Sequence, residues 1–473
     1  MADEAKRNKK TQCATMLLID KPHSNKLLSM EKMPKEAEVV YVNGLGALPE
    51  SIGSLSTLRK LHVTSPKLSV VPSSFGNLVH LTSLHFVGVG MELEELPDSF
   101  GSLQSLEELI WDGTLSSNQR FVSLPSTFGN LSKLRTLKLS NLTSLRSLGS
   151  NFGALSSLQI LDLAHLPKLK MLPQNFGTLE CLERLNMDKA GIRRLPGTFG
   201  DLKALKEFSL CGCTLATIPA AFGKLPSLKI LRISQAGLTM LPDSLTELGT
   251  LEYLTLTAIP RLQTMPRDFR RLLSLKELDI SNVGLKQLPE MDNMNLERLN
   301  LVRLDHIDAL PQSFSSLVKL RSLNIENVPR LQSVQHFLSS LSSMEDLQLR
   351  QMGTENISAL YEAPKLKKAH IQSTMIPQTL EPKLDSMMAI ENLCLDFSSK
   401  LDDLGESPIT YLPNAICDLA RLRVLEIHNA PELGCLPGNF AKLKRLENIW
   451  LQNLGISYLP PDFGDLKDLK SQI

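Results

Sequence analysis

An apolar residue followed by proline recurs fifteen times at one repeat position along this chain, from Leu48-Pro49, Val71-Pro72 and Leu96-Pro97 to Leu412-Pro413, Leu436-Pro437 and Leu459-Pro460. Most steps are 22 to 25 residues, and Leu148-Gly149 keeps the register without its proline. Within each step sits L-x-x-L-x-L, as in Leu134-Arg-Thr-Leu137-Lys-Leu139. Phe-Gly then follows four residues after the apolar residue of the proline pair, as at Phe75-Gly76, Phe100-Gly101, Phe176-Gly177, Phe199-Gly200 and Phe222-Gly223. A fixed period of this length means stacked supersecondary units, because no unit of two dozen residues can bury its own leucines.

The L-x-L alternation sends two side chains to one face and one to the other, which is a short strand. Proline cannot donate to a ladder and is expected to turn the chain away after the strand. Stacking the units buries a continuous leucine core, with the phenylalanines forming a second stack, and the glycine after each phenylalanine is expected to serve a tight bend. Seventeen outward triplets can be read from Lys60 to Gln452.

The pattern resembles the leucine-rich repeat family in a short form, L-x-x-L-x-L-x-x-x-x-L-x-x-L-P-x-x-F-G-x-L. The resemblance covers residues 39–473 and implies an α/β repeat solenoid, a horseshoe with a parallel concave sheet of about 17 to 18 short strands. It implies a ladder of side-chain-to-backbone bonds from an asparagine after each strand, filled here at Asn141, Asn282, Asn327, Asn429 and Asn453. Elsewhere that position is Gly212, Ala258 or another residue, so looser backbone satisfaction is expected there. Residues 1–38 lack the pattern and are expected to form a flexible leader and capping segment. Irregular coils fall at 112–122 and 350–411, and the array ends without an evident cap.

With 51 basic and 50 acidic residues the formal net charge is +1, so no global field draws the chain to nucleic acid or an anionic membrane. The apolar run before Asp20 is too short for a secretory signal, and no run reaches the roughly 18 apolar residues of a membrane helix. Seven cysteines, scattered and odd in number, fit a reducing compartment better than a disulfide-capped secreted protein. A cytoplasmic location follows as the expectation, with secretion by a bacterium into a host cytoplasm as a variant of it.

Enzyme signatures are missing: the sequence has no P-loop, His-Glu-x-x-His, G-x-S-x-G or kinase loop set. Cys211-Gly-Cys213 has no partners in sequence to complete a metal set, and Cys394-Leu395-Asp396, although bacterial leucine-rich-repeat ubiquitin ligases carry a Cys-x-Asp, falls in an L-x-L strand. No catalytic residue, metal or cofactor is expected. Function must then lie on the outward strand positions, where the family's concave face implies contacts at Glu108, Ile110, Asp112, Arg184, Asp188, Arg232, Tyr253, Glu277, Asp279 and Trp450. Trp450 is outward, where a large ring makes a binding hot spot, whereas Trp111 falls on an inward position. The triplets carry eleven acidic and seven basic side chains with four histidines, a mixed face unlike a nucleic-acid site. Histidines 62, 85, 370 and 428 read as separate solvated residues.

The expected function is a non-enzymatic module that binds a partner protein on its concave face, with self-association through uncapped ends also open. The repeat style is similar to type III-secreted leucine-rich-repeat effectors of plant-associated bacteria and to intracellular Ras-group leucine-rich-repeat proteins. The alternative is the substrate-recognition arm of a larger enzyme, such as a ubiquitin ligase, whose catalytic domain would follow residue 473.

Overall fold

Within each of its two units most described coils run strand, turn, 3-10 turn and return, and they stack in sequence order. A computed structural model describes residues 16–20, 36–89, 92–113, 119–331, 334–352, 365–372, 389–398 and 409–472. The chain divides into two compact units, residues 1–228 with 235–237, and residues 229–234 with 238–473. Among the described residues the first unit carries nine strands, from Met16–Asp20 and Val39–Asn43 to Glu207–Cys211, each parallel to its sequence neighbour. The second carries eleven, from Ile230–Ser234 to Ser471–Gln472, again parallel and in order. Three of these strands, Met16–Asp20, Val39–Asn43 and Ser471–Gln472, lie outside the seventeen triplets and raise the number above the 17 to 18 expected. The irregular coils at 112–122 and 350–411 fall in part outside the described residues.

The inward strand positions are sealed, as in Leu61 and Val63, Leu109 and Trp111, or Leu278 and Ile280, all fully buried. At about 25 cal/mol per Å² of apolar surface, this leucine column supplies the main driving force of both units. Connections are almost all 3-10 turns; one single-turn α-helix, Gln335–Leu338, is found among the described residues. No described helix is long and apolar enough to cross a membrane.

Proline does not end the strand. It precedes the 3-10 turn in extended conformation, and its carbonyl accepts the N–H of the phenylalanine three residues on, as from Phe75 to Pro72 at 3.0 Å. The regular ladder is interrupted instead by a residue in the left-handed region directly after the outward triplet: Asn141, Asn282, Asn327, Asn429 and Asn453, and equally Gly44, Gly88, Gly212, His165, Lys189, Ala258 and Arg303, and in some coils one pair follows it, as Ile259 with Val283. Asparagine and glycine tolerate that conformation, which costs other residues about 1–2 kcal/mol. This preference, more than any ladder, accounts for the asparagines. Three of them donate to side chains, Asn141 to Asp112 at 2.7 Å, Asn429 to Asp396 at 2.9 Å and Asn453 to Asn429 at 3.2 Å. The expectation of looser backbone around the other turns fails: the N–H groups of Gly44, His165 and Arg303 donate to Thr64, Asp188 and Glu326 of the next coil at 2.8–2.9 Å.

The phenylalanines do form a second stack. In the first unit Phe75, Phe100, Phe128, Phe152, Phe176, Phe199 and Phe222 follow one another with centroids 5.8–6.3 Å apart and planes within 10° of parallel. The glycine after each phenylalanine from Phe75 to Phe199 serves close approach, and the expected bend is not its reason. A Cβ on Gly76, Gly101, Gly177 or Gly200 would strike the carbonyl oxygen of the next coil's 3-10 turn. In that turn a hydroxyl just before phenylalanine reaches back to the previous coil, as Ser99 to the Ser73 carbonyl and Thr198 to the Gln174 carbonyl, both at 2.7 Å.

Candidate functional site

All ten outward residues singled out from the sequence stand on or beside the sheet's open face, half-buried or exposed between sealed inward neighbours. Glu108, Ile110 and Asp112 share one strand of the first unit, where Arg184 and Asp188 lie farther along. In the second unit Arg232, Tyr253, Glu277 and Asp279 occupy three adjacent strands, Tyr253 lying in register between Ile230 and Glu277. Trp450 sits apart, in register beside Glu426.

Most of the carboxylates are occupied by donors of the chain itself. Asp112 accepts the Ser140 hydroxyl at 3.0 Å and the Asn141 amide. Asp188 accepts the Ser209 hydroxyl at 2.7 Å and the Cys211 N–H at 2.9 Å. Asp279 accepts the Ser281 hydroxyl and the Asn300 amide. Glu277 holds Arg298 at 2.7 Å, and Glu207 lies 3.4 Å from Arg184. These side chains tie coil to coil, and exposed pairs of this kind add little stability each. Glu108 accepts from Ser83 and pairs with His85, so Ile110, Arg232, Tyr253 and Trp450 are the remaining side chains of the set, and among the described residues Arg232 belongs to no ion pair.

Two clusters escaped the sequence reading, and both involve histidines taken there as separate. In the first unit the Tyr41 ring stacks on His62 at 4.6 Å and 9°, and His62 meets His85 edge-on at 4.4 Å. His85 Nε2 lies 3.2 Å from Glu108, which also accepts the Ser83 hydroxyl at 2.8 Å. Serine, histidine and a carboxylate meet here, yet Ser83 and Glu108 both face the same ring nitrogen, Nε2. A relay needs them on opposite nitrogens, so no nucleophile is assembled. Burial acts to raise the Glu108 carboxyl, but the His85 and Ser83 hydrogen bonds outweigh it and hold it below the usual range. His62 is lowered from 6.5 by burial, then by His85 and Lys60.

This lowering has a sign. A histidine that resists protonation when folded leaves the unfolded chain holding more protons below its ordinary pKa, so stability is full above pH 6.5 and falls as pH drops below it. His370, lowered first by burial and then by Arg350, acts in the same direction in the second unit. Urea midpoints measured from pH 7.5 to 5.5 should fall with acidification, and the fall should be shallower in His62→Gln. An unchanged slope in that variant would remove His62 from the account.

The second cluster joins His370, Cys394, Glu426 and His428. The first three are register neighbours on consecutive strands, and His428 lies two residues beyond Glu426 on the same face. Burial and the adjacent Glu426 carboxylate push the Cys394 thiol up to about 12. It is therefore a protonated thiol and no nucleophile in this state. Cys211 and Cys213 form no pair: Cys213 is buried with Sγ 2.9 Å from the Met187 carbonyl, while Cys211 lies on the face beside Ser209. Trp111 is fully buried, as expected, and its Nε1–H donates to the Val89 carbonyl at 3.0 Å. One rule would have found both clusters. Outward residues one coil apart in sequence are neighbours at about 4.8 Å in a parallel sheet.

A family model described as "Leucine-rich repeat region" matches residues 40–139 and 125–216. Among solved structures the chain is similar to a leucine-rich-repeat protein of Leptospira interrogans, with a TM-score of 0.61 and 22% identity over 90% of this chain and 99% of that one. It is also similar to the leucine-rich-repeat ectodomain of the plant membrane receptor kinase GASSHO1/SCHENGEN3 from Arabidopsis thaliana, with a TM-score of 0.58 and 21% identity. That match covers 91% of this chain and 52% of the receptor chain. No curated protein matches the chain at a significant level. The fold is a leucine-rich-repeat solenoid.

Proposed function

We propose that this chain is a non-enzymatic interaction module whose outward sheet face binds a partner protein. The observation that carries the reading is the face itself. Parallel strands fix a row of outward side chains on a stiff support, with Tyr253 and Arg232 on adjacent strands and Trp450 as a large ring at an outward position. Preformed surfaces of this kind lose little entropy on binding, and an interface of about 800 Å² per partner needs only a few coils. Aromatic and arginine side chains dominate the energy of such contacts. The similar plant ectodomain was solved in complex with CASPARIAN STRIP INTEGRITY FACTOR 2, which supports recognition of another chain by this fold.

The finer reading, a bacterial effector acting in host cytoplasm, rests on the style of the repeats alone. Affinity capture from plant and animal cell extracts tests both levels. The unaltered chain is compared with a variant carrying Trp450→Ala, Tyr253→Ala and Arg232→Glu, checked for folding by circular dichroism. The expected result is a partner retained by the first and lost by the second. Equal capture by both would remove these coils from the binding face.

A further inference from the structure

We propose that Cys394, Glu426 and His428 form a zinc site on the outward sheet face of the second unit. The Cys394 thiol sulfur, a Glu426 carboxylate oxygen and a His428 ring nitrogen all lie within 4.8 Å of one another. His428 Nε2 and Glu426 Oε2 are already 3.5 Å apart, close to the spacing of two donors on one tetrahedral ion with bonds of about 2.0–2.3 Å. Small rotamer changes close the remaining distance, because strand registry holds Cys394 and Glu426 directly opposite each other.

The donor set selects the ion. One sulfur, one imidazole and one carboxylate suit zinc, while calcium and magnesium take oxygen ligands almost alone. Three protein ligands leave a fourth position for solvent, and two of them, Cys394 and Glu426, also line a recess with His370, Asn392, Gln348 and Asp346. That recess, about 270 Å³, has room for the ion with bound water. Asp396 lies in register beside His428 and is itself fixed by the Ser398 N–H and the Asn429 amide at 2.9 Å, which provides an oriented carboxylate next to the imidazole. On binding, the Sγ–Zn bond replaces the S–H bond and the proton passes to solvent. Arg350 and Lys368 near the recess oppose a cation, and the thiolate with Glu426 and Asp396 offsets them.

The test uses the full chain stripped with a chelator and titrated with Zn²⁺ by calorimetry and with Co²⁺ by absorption. One equivalent should bind, and the Co²⁺ form should show a thiolate charge-transfer band with the intense ligand-field absorption of a four-coordinate ion. Cys394→Ser should abolish the charge-transfer band, and His428→Gln should weaken Zn²⁺ binding severely. Cys435→Ser, at a half-exposed thiol elsewhere, should change neither. Metal-free circular dichroism confirms that each variant is folded, and Glu426→Gln serves if Cys394→Ser is not. Absence of saturable binding overturns the site. So does a charge-transfer band that survives Cys394→Ser, or binding unchanged in His428→Gln.

Discussion

Replacing Phe152 by alanine is expected to lower the stability of the first unit by about 4 kcal/mol. Phe152 is 1% exposed and stands midway in a column of near-parallel rings, 6.3 Å from Phe128 on one side and 6.3 Å from Phe176 on the other. Its removal leaves a void that neither neighbour can fill, because each is held by its own coil at a fixed stacking distance. In a solenoid each coil touches only its neighbours, so stability is a sum of coil terms and coil–coil terms. A ring in the middle of the column enters two of those coil–coil terms. Phe463 is the contrast: at 8% exposure it has a single stacking partner among the described residues, Phe440 at 5.7 Å. Phe463→Ala should cost about half as much. Urea unfolding followed by fluorescence and by hydrogen exchange checks both. Exchange should locate the Phe152→Ala loss in the coils flanking residue 152. A loss under about 1 kcal/mol for Phe152→Ala would mean that the ring column fills space without bonding the coils.

The repeat made the strands, their parallel order, the buried leucine column and the ring column legible before any coordinate was known, since each follows from a period and an apolar pattern. What stayed hidden depends on distances between coils. The glycine after phenylalanine looked like a bend because glycine's freedom is local and readable, whereas the carbonyl pressing on it belongs to a residue more than twenty positions away. The asparagines after the strands looked like a hydrogen-bond ladder, yet Ala258 and Arg303 share their left-handed backbone, so the conformation is what the position demands. The histidines looked scattered because 23 residues separate His62 from His85, although one coil places them in ring contact. Of the candidate face, the positions were readable and their occupancy was not. Asp112, Asp188 and Asp279 stand where the pattern puts them, but internal donors already engage their carboxylates.

Gly177→Ala and Gly464→Ala should differ sharply in stability. Gly177 lies in the 3-10 turn Gln174–Thr178, and a Cβ there would stand 2.8 Å from the backbone carbonyl carbon of Thr198 and 2.9 Å from its Cβ, with its carbonyl oxygen nearer still. Backbone cannot swing aside as a side-chain tip can. Gly177→Ala must therefore separate the two turns, stretching the 2.7 Å bond from the Thr198 hydroxyl to the Gln174 carbonyl and loosening Phe176 from Phe199, 6.1 Å away. Overpacking of this kind is expected to cost about 3 kcal/mol. Gly464 occupies the same repeat position after Phe463, but among the described residues no atom comes within 4 Å of a Cβ built there. Gly464→Ala should shift stability by no more than about 0.5 kcal/mol. If glycine served a bend intrinsic to each coil, both substitutions would be equally harmful. Close approach between coils makes only Gly177→Ala costly, and thermal unfolding of the two variants beside the unaltered chain decides between them.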